Sequence, residues 1–140
     1  MILVIDTNVF ISGFISESYP WRILDYFLDK RFTPALDDRI YLEYSAVLRR
    51  KKFGLKKTDV DYFLNFTASA ALFITPGKCD IKLIDVADLK FIETARSANA
   101  DGLITGNMKH FEPAKNIIPV FSPKEAWEKL FVNNFNEQTE

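Results

Sequence analysis

Cysteine is almost missing: the 140-residue chain contains one, Cys79. An internal disulfide is excluded and there is no CxxC pair, which favours a reducing compartment. Histidine is as scarce, with His110 alone, and the sequence leaves its role open. No apolar run approaches the roughly 18 residues of a membrane-spanning helix. The N-terminal apolar run is short and has no basic stretch before it, unlike a signal peptide. The expected location is therefore cytoplasmic, with no membrane partner. An excess of positive charge is missing too: 18 Lys and Arg against 19 Asp and Glu give a net charge of −1. A polyanion binder that relied on diffuse charge would be basic, so nucleic acid would need a local patch or a metal ion. Repeats, low-complexity tracts and long linkers are also lacking. One domain over residues 1–132 is expected, followed by a polar tail, 133–140.

What is present is hydrophobic material in short pieces. Hydrophobic residues make up 48% of the chain and Phe alone accounts for 13 positions, so the core should be rich in aromatic rings. Ile2–Ile5 reads as a strand, and Phe32–Leu36, Leu72–Thr75, Leu103–Thr105 and Ile117–Phe121 as others. Between them lie helical patterns. One starts at Ser18-Tyr-Pro20-Trp21, with proline in the first turn. One is capped by Asp37-Asp38 and carries Ile40, Tyr44, Val47 and Leu48. One is capped by Thr58, one runs from about Asp85 to Ala98, and one opens on the capping box Ser122-Pro-Lys-Glu125. Strands alternating with helices imply parallel pairing through right-handed crossovers. The expected fold is a three-layer α/β/α sandwich around a parallel sheet of about five strands.

The acids fall at telling places. In such a sheet, sites form beyond the carboxyl ends of the strands. Asp6 follows the first strand directly, and Thr105-Gly106-Asn107 follows the fourth. Glu43 lies in the second turn of its helix, on the border of the apolar stripe. Asp88, Phe91, Ile92 and Ala95 are spaced i, i+3, i+4, i+7, which puts a carboxylate on a buried face. Each acid has a plain alternative: Asp6 as a turn or helix cap, Glu43 as a solvated helix acid, Asp88 as a first-turn acid favoured by the helix dipole, Asn107 as a turn residue. Convergence separates the readings. Three acids and an amide with no cation at the strand ends would raise each other's pKa values unless a metal neutralised them. Oxygen-only ligands suit Mg²⁺ or Mn²⁺.

At these residues the sequence resembles the PIN-domain family of metal-dependent ribonucleases. The matching segments are VIDTNVFISGF (4–14), YLEYSAVLRR (41–50), DVADLKFIETARSANADGLITGNMKHF (85–111) and IPVFSPKEAW (118–127), in the family's order. The closest subgroup is the toxins of toxin–antitoxin pairs. The resemblance implies that Asp6, Glu43 and Asp88 are the metal-binding acids. It implies supporting hydroxyls at Thr7 and Thr105, and a loop-shaping amide at Asn8. Asn107 stands where many members have a fourth acid, so a second cation would be held less well, or a water in its place. The implied partners are an RNA substrate, a protein antitoxin and a second copy of the chain in a homodimer.

The expected activity is hydrolysis of RNA phosphodiesters by an Mg²⁺- or Mn²⁺-dependent endoribonuclease with Asp6, Glu43, Asp88 and Asn107 at its centre. Arg49, Arg50, Lys51 and Lys52, with Lys56 and Lys57 nearby, form the dense basic patch that could track an RNA backbone, or simply a solvated helix end. Phe10, Phe14, Tyr19 and Trp21 cluster early in the chain; most are expected in the core, with a minority left for an antitoxin helix. Two other readings stand beside this one. A catalytically degenerate binding module would keep the fold and lose turnover through Asn107. A phospho-accepting receiver domain would need a further acid pair near the first strand and a lysine ending the last, where Val120-Phe121-Ser122 stands. A haloacid-dehalogenase-type phosphatase would need a second aspartate at Asn8.

Overall fold

The computed structural model describes residues 1–132; the expected polar tail, 133–140, lies outside the described residues. The chain begins with β1 (Ile2–Ile5), α1 (Thr7–Ile15), α2 (Tyr19–Leu28), β2 (Thr33–Leu36), α3 (Asp38–Leu48) and α4 (Lys57–Ala70). It continues through β3 (Leu72–Phe73), α5 (Leu89–Ser97), β4 (Gly102–Ile104), β5 (Val120–Phe121) and α6 (Pro123–Ala126). Tight 3₁₀ turns occupy Lys51–Phe53, Val86–Asp88 and Met108–Ala114, and a wider π-type turn, Trp127–Phe131, follows α6.

The strands form one parallel sheet in the order β3-β2-β1-β4-β5. The chain steps outward from β1 to β2 and β3, then returns to the other side of β1 for β4 and β5. This reversal puts a crevice at the carboxyl ends of β1 and β4, the usual ligand position in open parallel sheets. Leu3, Val4 and Ile5 of β1 are wholly buried, as are Leu103 and Ile104 of β4. Their uninterrupted apolar sequence is what a strand covered on both faces requires.

Right-handed crossovers place α1–α4 on one face and α5 with the Met108–Ala114 turn on the other. The first layer is held by aromatic rings. Phe10 of α1 lies 4.8 Å from Phe63 of α4, 5.2 Å from Tyr44 of α3 and 5.8 Å from Phe27 of α2, between ring centroids. On the opposite face Phe91 of α5 meets Phe111 edge to face. Gly13 lets α1 and α2 approach closely, since a Cβ there would sit 2.9 Å from the Pro20 carbonyl oxygen.

Several expected caps are observed. Asp37 accepts from the Ile40 N–H at 2.9 Å, and Ser122 and Glu125 form the reciprocal capping box. Asp85 caps its turn through the Ala87 N–H. Two local expectations change. α4 starts at Lys57 with Lys56 in the capping position, so Thr58 lies inside the first turn; periodicity leaves helix ends uncertain by a residue or two. The helix expected from Asp85 is a 3₁₀ turn that passes into α5.

The periodicity reading misses α1 altogether. Its sequence, TNVFISGFI, buries Val9, Phe10, Ile11 and Gly13 and shows no polar stripe. Its β-branched residues and glycine also lower helix propensity. Tertiary packing on α2 and α3 makes this segment helical. Phe10→Ala should lower unfolding free energy by about 3–5 kcal/mol, the usual result of emptying an aromatic site in a core. Urea denaturation followed by circular dichroism measures it.

Candidate active site

The pairing of β1 with β4 sets Ile5 opposite Ile104, so the next residues, Asp6 and Thr105, emerge side by side. The Asp6 N–H donates to the Ile104 carbonyl at 2.9 Å. The Thr105 hydroxyl donates to Asp6 Oδ2 at 2.7 Å and accepts the Asn107 N–H at 3.0 Å. Asp6 occupies the N-cap position of α1, yet its side chain makes no capping hydrogen bond. The capping alternative therefore does not account for this acid.

Burial sets the chemistry of Asp6. Its side chain is among three buried acids in the described residues, with Asp37 and Glu93. The other two are both ion-paired with Arg39, at 2.6 Å and 3.1 Å. Asp6 has no basic partner among the described residues and relies on the Thr105 hydroxyl. Burial pushes its pKa up to about 6; the Thr105 hydrogen bond pulls it down, while the charges of Asp88 and Glu43 push it further up. Asp88 and Glu43 are thus near enough for their charge to be felt at Asp6, although no three His, Cys, Asp or Glu side chains among the described residues approach closely enough to hold an ion as they stand.

Glu43 comes from the second turn of α3. Thr7 donates its hydroxyl to Glu43 Oε2. The Lys90 ammonium lies 2.9 Å from Glu43 Oε1. This corrects the expectation that the acids converge with no cation from the chain: the strand ends carry none, but α5 brings Lys90 in from the side. Asp88 sits where the Val86–Asp88 turn enters α5. Its Oδ2 lies 3.3 Å from His110 Nδ1. Its pKa is raised, chiefly by burial and then by Asp85, with His110 and Lys90 opposing the rise. The Asn107 amide nitrogen is 3.1 Å from the same ring nitrogen of His110. Asn8 ties the two strand-end loops together by accepting the Gly106 N–H at 3.3 Å.

Asp6, Thr7, Asn8 and Glu43 open onto a cleft of about 500 Å³, whose walls include Ile11, Ile15, Val47 and Phe53, with Arg50 among the lining residues. The basic patch divides. Arg50 faces the cleft, while Arg49 is held by Asp61 at 2.7 Å, an acid that Lys57 also engages. Lys51 and Lys52 are exposed. Of the early aromatics, Phe10 is buried and Phe14 packs on Phe63, whereas Trp21 is exposed.

Two side chains near the site, Lys90 and Tyr44, are not singled out by the sequence, and a third, His110, is left there without a role. Lys90 does carry a sequence signal: a lysine in the first turn of a helix opposes the dipole there, so a compensating anion is needed. His110 is linked to Asp88 only by the fold. Tyr44 reads as an ordinary member of an apolar stripe. In the structure it is fully buried and donates its hydroxyl to the Ile5 carbonyl, just before Asp6. Its pKa is raised well above normal by burial and then by Asp6, Glu43 and Asp37, so it stays a donor.

A model of the PIN-domain family matches residues 2–109, a span that holds Asp6, Glu43, Asp88 and Asn107. The chain belongs to the PIN-domain family. Two solved structures share the fold of this PIN domain. VapBC2 from Rickettsia felis, bound to a DNA fragment from its promoter, superposes with a TM-score of 0.59 at 23% identity, covering 87% of this chain and 98% of that one. FitAcB from Neisseria gonorrhoeae gives 0.54 at 20% identity, covering 89% and 99%. No curated protein matches the sequence. Among the described residues, no helix of this PIN domain is long and apolar enough to cross a membrane.

Because the folded-state pKa of Asp6 is raised, its contribution to stability is fully present below the unfolded value of 3.8 and is lost as pH rises through about 6. Ionising it in the fold costs on the order of 3 kcal/mol, at 1.36 kcal/mol per tenfold change in proton affinity. Metal-free Asp6→Asn should therefore be more stable than wild type at pH 7 by up to about that amount. The gap should close near pH 4. Thermal melts in chelator across this range are the check.

Proposed function

We propose that this PIN domain is a divalent-metal-dependent endoribonuclease that hydrolyses RNA phosphodiesters, and that it is the toxin component of a toxin–antitoxin pair. The observation that carries the reading is Asp6: a buried carboxylate without a basic partner, aimed into the crevice between β1 and β4, whose proton affinity rises with the charge of Asp88 and Glu43. Membership of a family whose members are in general nucleases supports it.

The donor set suits Mg²⁺ or Mn²⁺. It is all oxygen, hard and negatively charged, and one member is destabilised by the negative charge around it. Asp6, Glu43 and Asp88 would hold the ion. Bound there, it would polarise a phosphoryl oxygen and lower the pKa of a coordinated water. The protein's own groups do the rest. Thr105 fixes the Asp6 carboxylate and stabilises its ionised form. Thr7 orients Glu43. Asn8 holds the two strand-end loops in register. Asn107 is neutral and is engaged with His110, which reduces the capacity for a second ion. Arg50 in the cleft, with exposed Lys51 and Lys52 beyond it, would follow the RNA backbone. An antitoxin helix would lie against the apolar side of the cleft, at Ile11, Ile15 and Val47. A homodimer and a cytoplasmic location belong to the same reading.

A second reading, a PIN-fold binding module without turnover, has one observation in its favour: Glu43 is already neutralised by Lys90. An end-labelled RNA incubated with the full chain separates the two. Cleavage in Mn²⁺ should stop in excess chelator. Asp6→Asn should lower kcat/KM roughly a thousandfold, about 4 kcal/mol, while the fold is retained. Cleavage by Asp6→Asn at the wild-type rate refutes the metal-centred scheme, and RNA binding without cleavage under any metal favours the binding module.

The basic patch has its own test. Replacing Arg50, Lys51 and Lys52 with Gln should weaken RNA binding and flatten its dependence on salt, by about 0.7 in the slope of log K against log salt for each phosphate left without a cation. Replacing Arg49 should change little, because Asp61 already holds it. Fluorescence anisotropy with catalytically inactive protein measures both.

A further inference from the structure

Lys90 is a charged group of the site to which the proposed hydrolysis assigns no role. It stands in the first turn of α5, against the helix dipole, and its side chain is only 11% exposed. A lysine that buried needs partners. Glu43 Oε1, at 2.9 Å, takes one of its three ammonium protons and the Ala87 carbonyl takes another. The Phe91 ring lies 4.9 Å from the ammonium, a weaker contact than a hydrogen bond, so the third proton can turn to an incoming oxyanion. The position where a further acid would strengthen a second ion is Asn107, which is neutral. Three carboxylates and one ammonium leave a charge of about minus two, which a single divalent ion balances.

We propose that Lys90 takes the place of a second metal ion: its ammonium neutralises Glu43 and binds a non-bridging oxygen of the scissile phosphodiester, so the site works with one divalent ion. This rests on the metal-dependent hydrolysis proposed above. No covalent bond to Lys90 is formed. Its role is to hold charge beside the phosphate, as a compact point cation can.

The test counts ions separately from turnover. Mn²⁺ is titrated calorimetrically into the full chain without RNA, and single-turnover RNA cleavage is measured in parallel. Wild type should bind one Mn²⁺. Lys90→Gln releases Glu43, so it should bind Mn²⁺ at least about tenfold more tightly or take up a second ion. Its cleavage rate should nevertheless fall at least about tenfold. Lys90→Arg, which keeps the charge, should retain one-ion binding and recover part of the rate. Lys90→Met, closer in shape, replaces Lys90→Gln if the latter does not fold. Two Mn²⁺ bound to wild type, or Mn²⁺ binding and cleavage unchanged in Lys90→Gln, overturns the role of Lys90 and leaves the nuclease reading intact. A wild type that neither binds Mn²⁺ nor cleaves RNA overturns both.

Discussion

The hydrogen bond from Thr105 to Asp6 spans 99 residues of chain, and it exists because β4 pairs directly with β1. The Asn107 N–H and the Gly106–Asn8 contact follow from the same adjacency. The strand order reverses between these two strands, so no crossover helix covers the gap at their carboxyl ends. The carboxylate projects into that gap with its backbone fixed by the sheet. Tyr44 reinforces the same point from below by holding the last carbonyl of β1. The aromatic layer around Phe10 thus connects, through one phenol, to the residue before Asp6.

Asp6 contrasts with the other buried acids. Arg39 satisfies both Asp37 and Glu93, and Glu93 also accepts the Cys79 N–H. Each of those carboxylates has an ion pair to Arg39 and a backbone N–H donor, from Ile40 or Cys79, and the cluster reads as structural. The strand-end cluster is incomplete: an ionised Asp6 is disfavoured by burial and by two neighbouring acids. Perturbed carboxyls in clefts are candidate functional groups, and this is the basis of the proposed metal site. The same charge that destabilises the empty fold would favour a divalent ion.

Lys90 modifies this balance. It relieves Glu43, not Asp6, so the uncompensated charge is concentrated on the strand side of the site. Thr7 and Thr105, one from the start of α1 and one from the end of β4, each fix a different carboxylate. Glu43 and Asp6 are thereby held from separate elements of the fold.

Residue pattern alone determined the layer architecture, the parallel sheet and the strands, because buried parallel strands must be continuously apolar. It also determined the caps at Asp37 and Ser122, whose partners lie within three residues. Asp6, Glu43, Asp88 and Asn107 could be singled out as a candidate group only through their positions relative to strand ends and their resemblance to a family. Helix α1 was not legible, since a segment buried on most sides shows no stripe. Tertiary structure decided the electrostatics: that Asp6 lacks a cation, that Lys90 reaches Glu43 across 47 residues, and that His110 stands between Asp88 and Asn107. Local periodicity fixes which face a side chain takes, whereas the sign and distance of its charged neighbours depend on how separate elements pack.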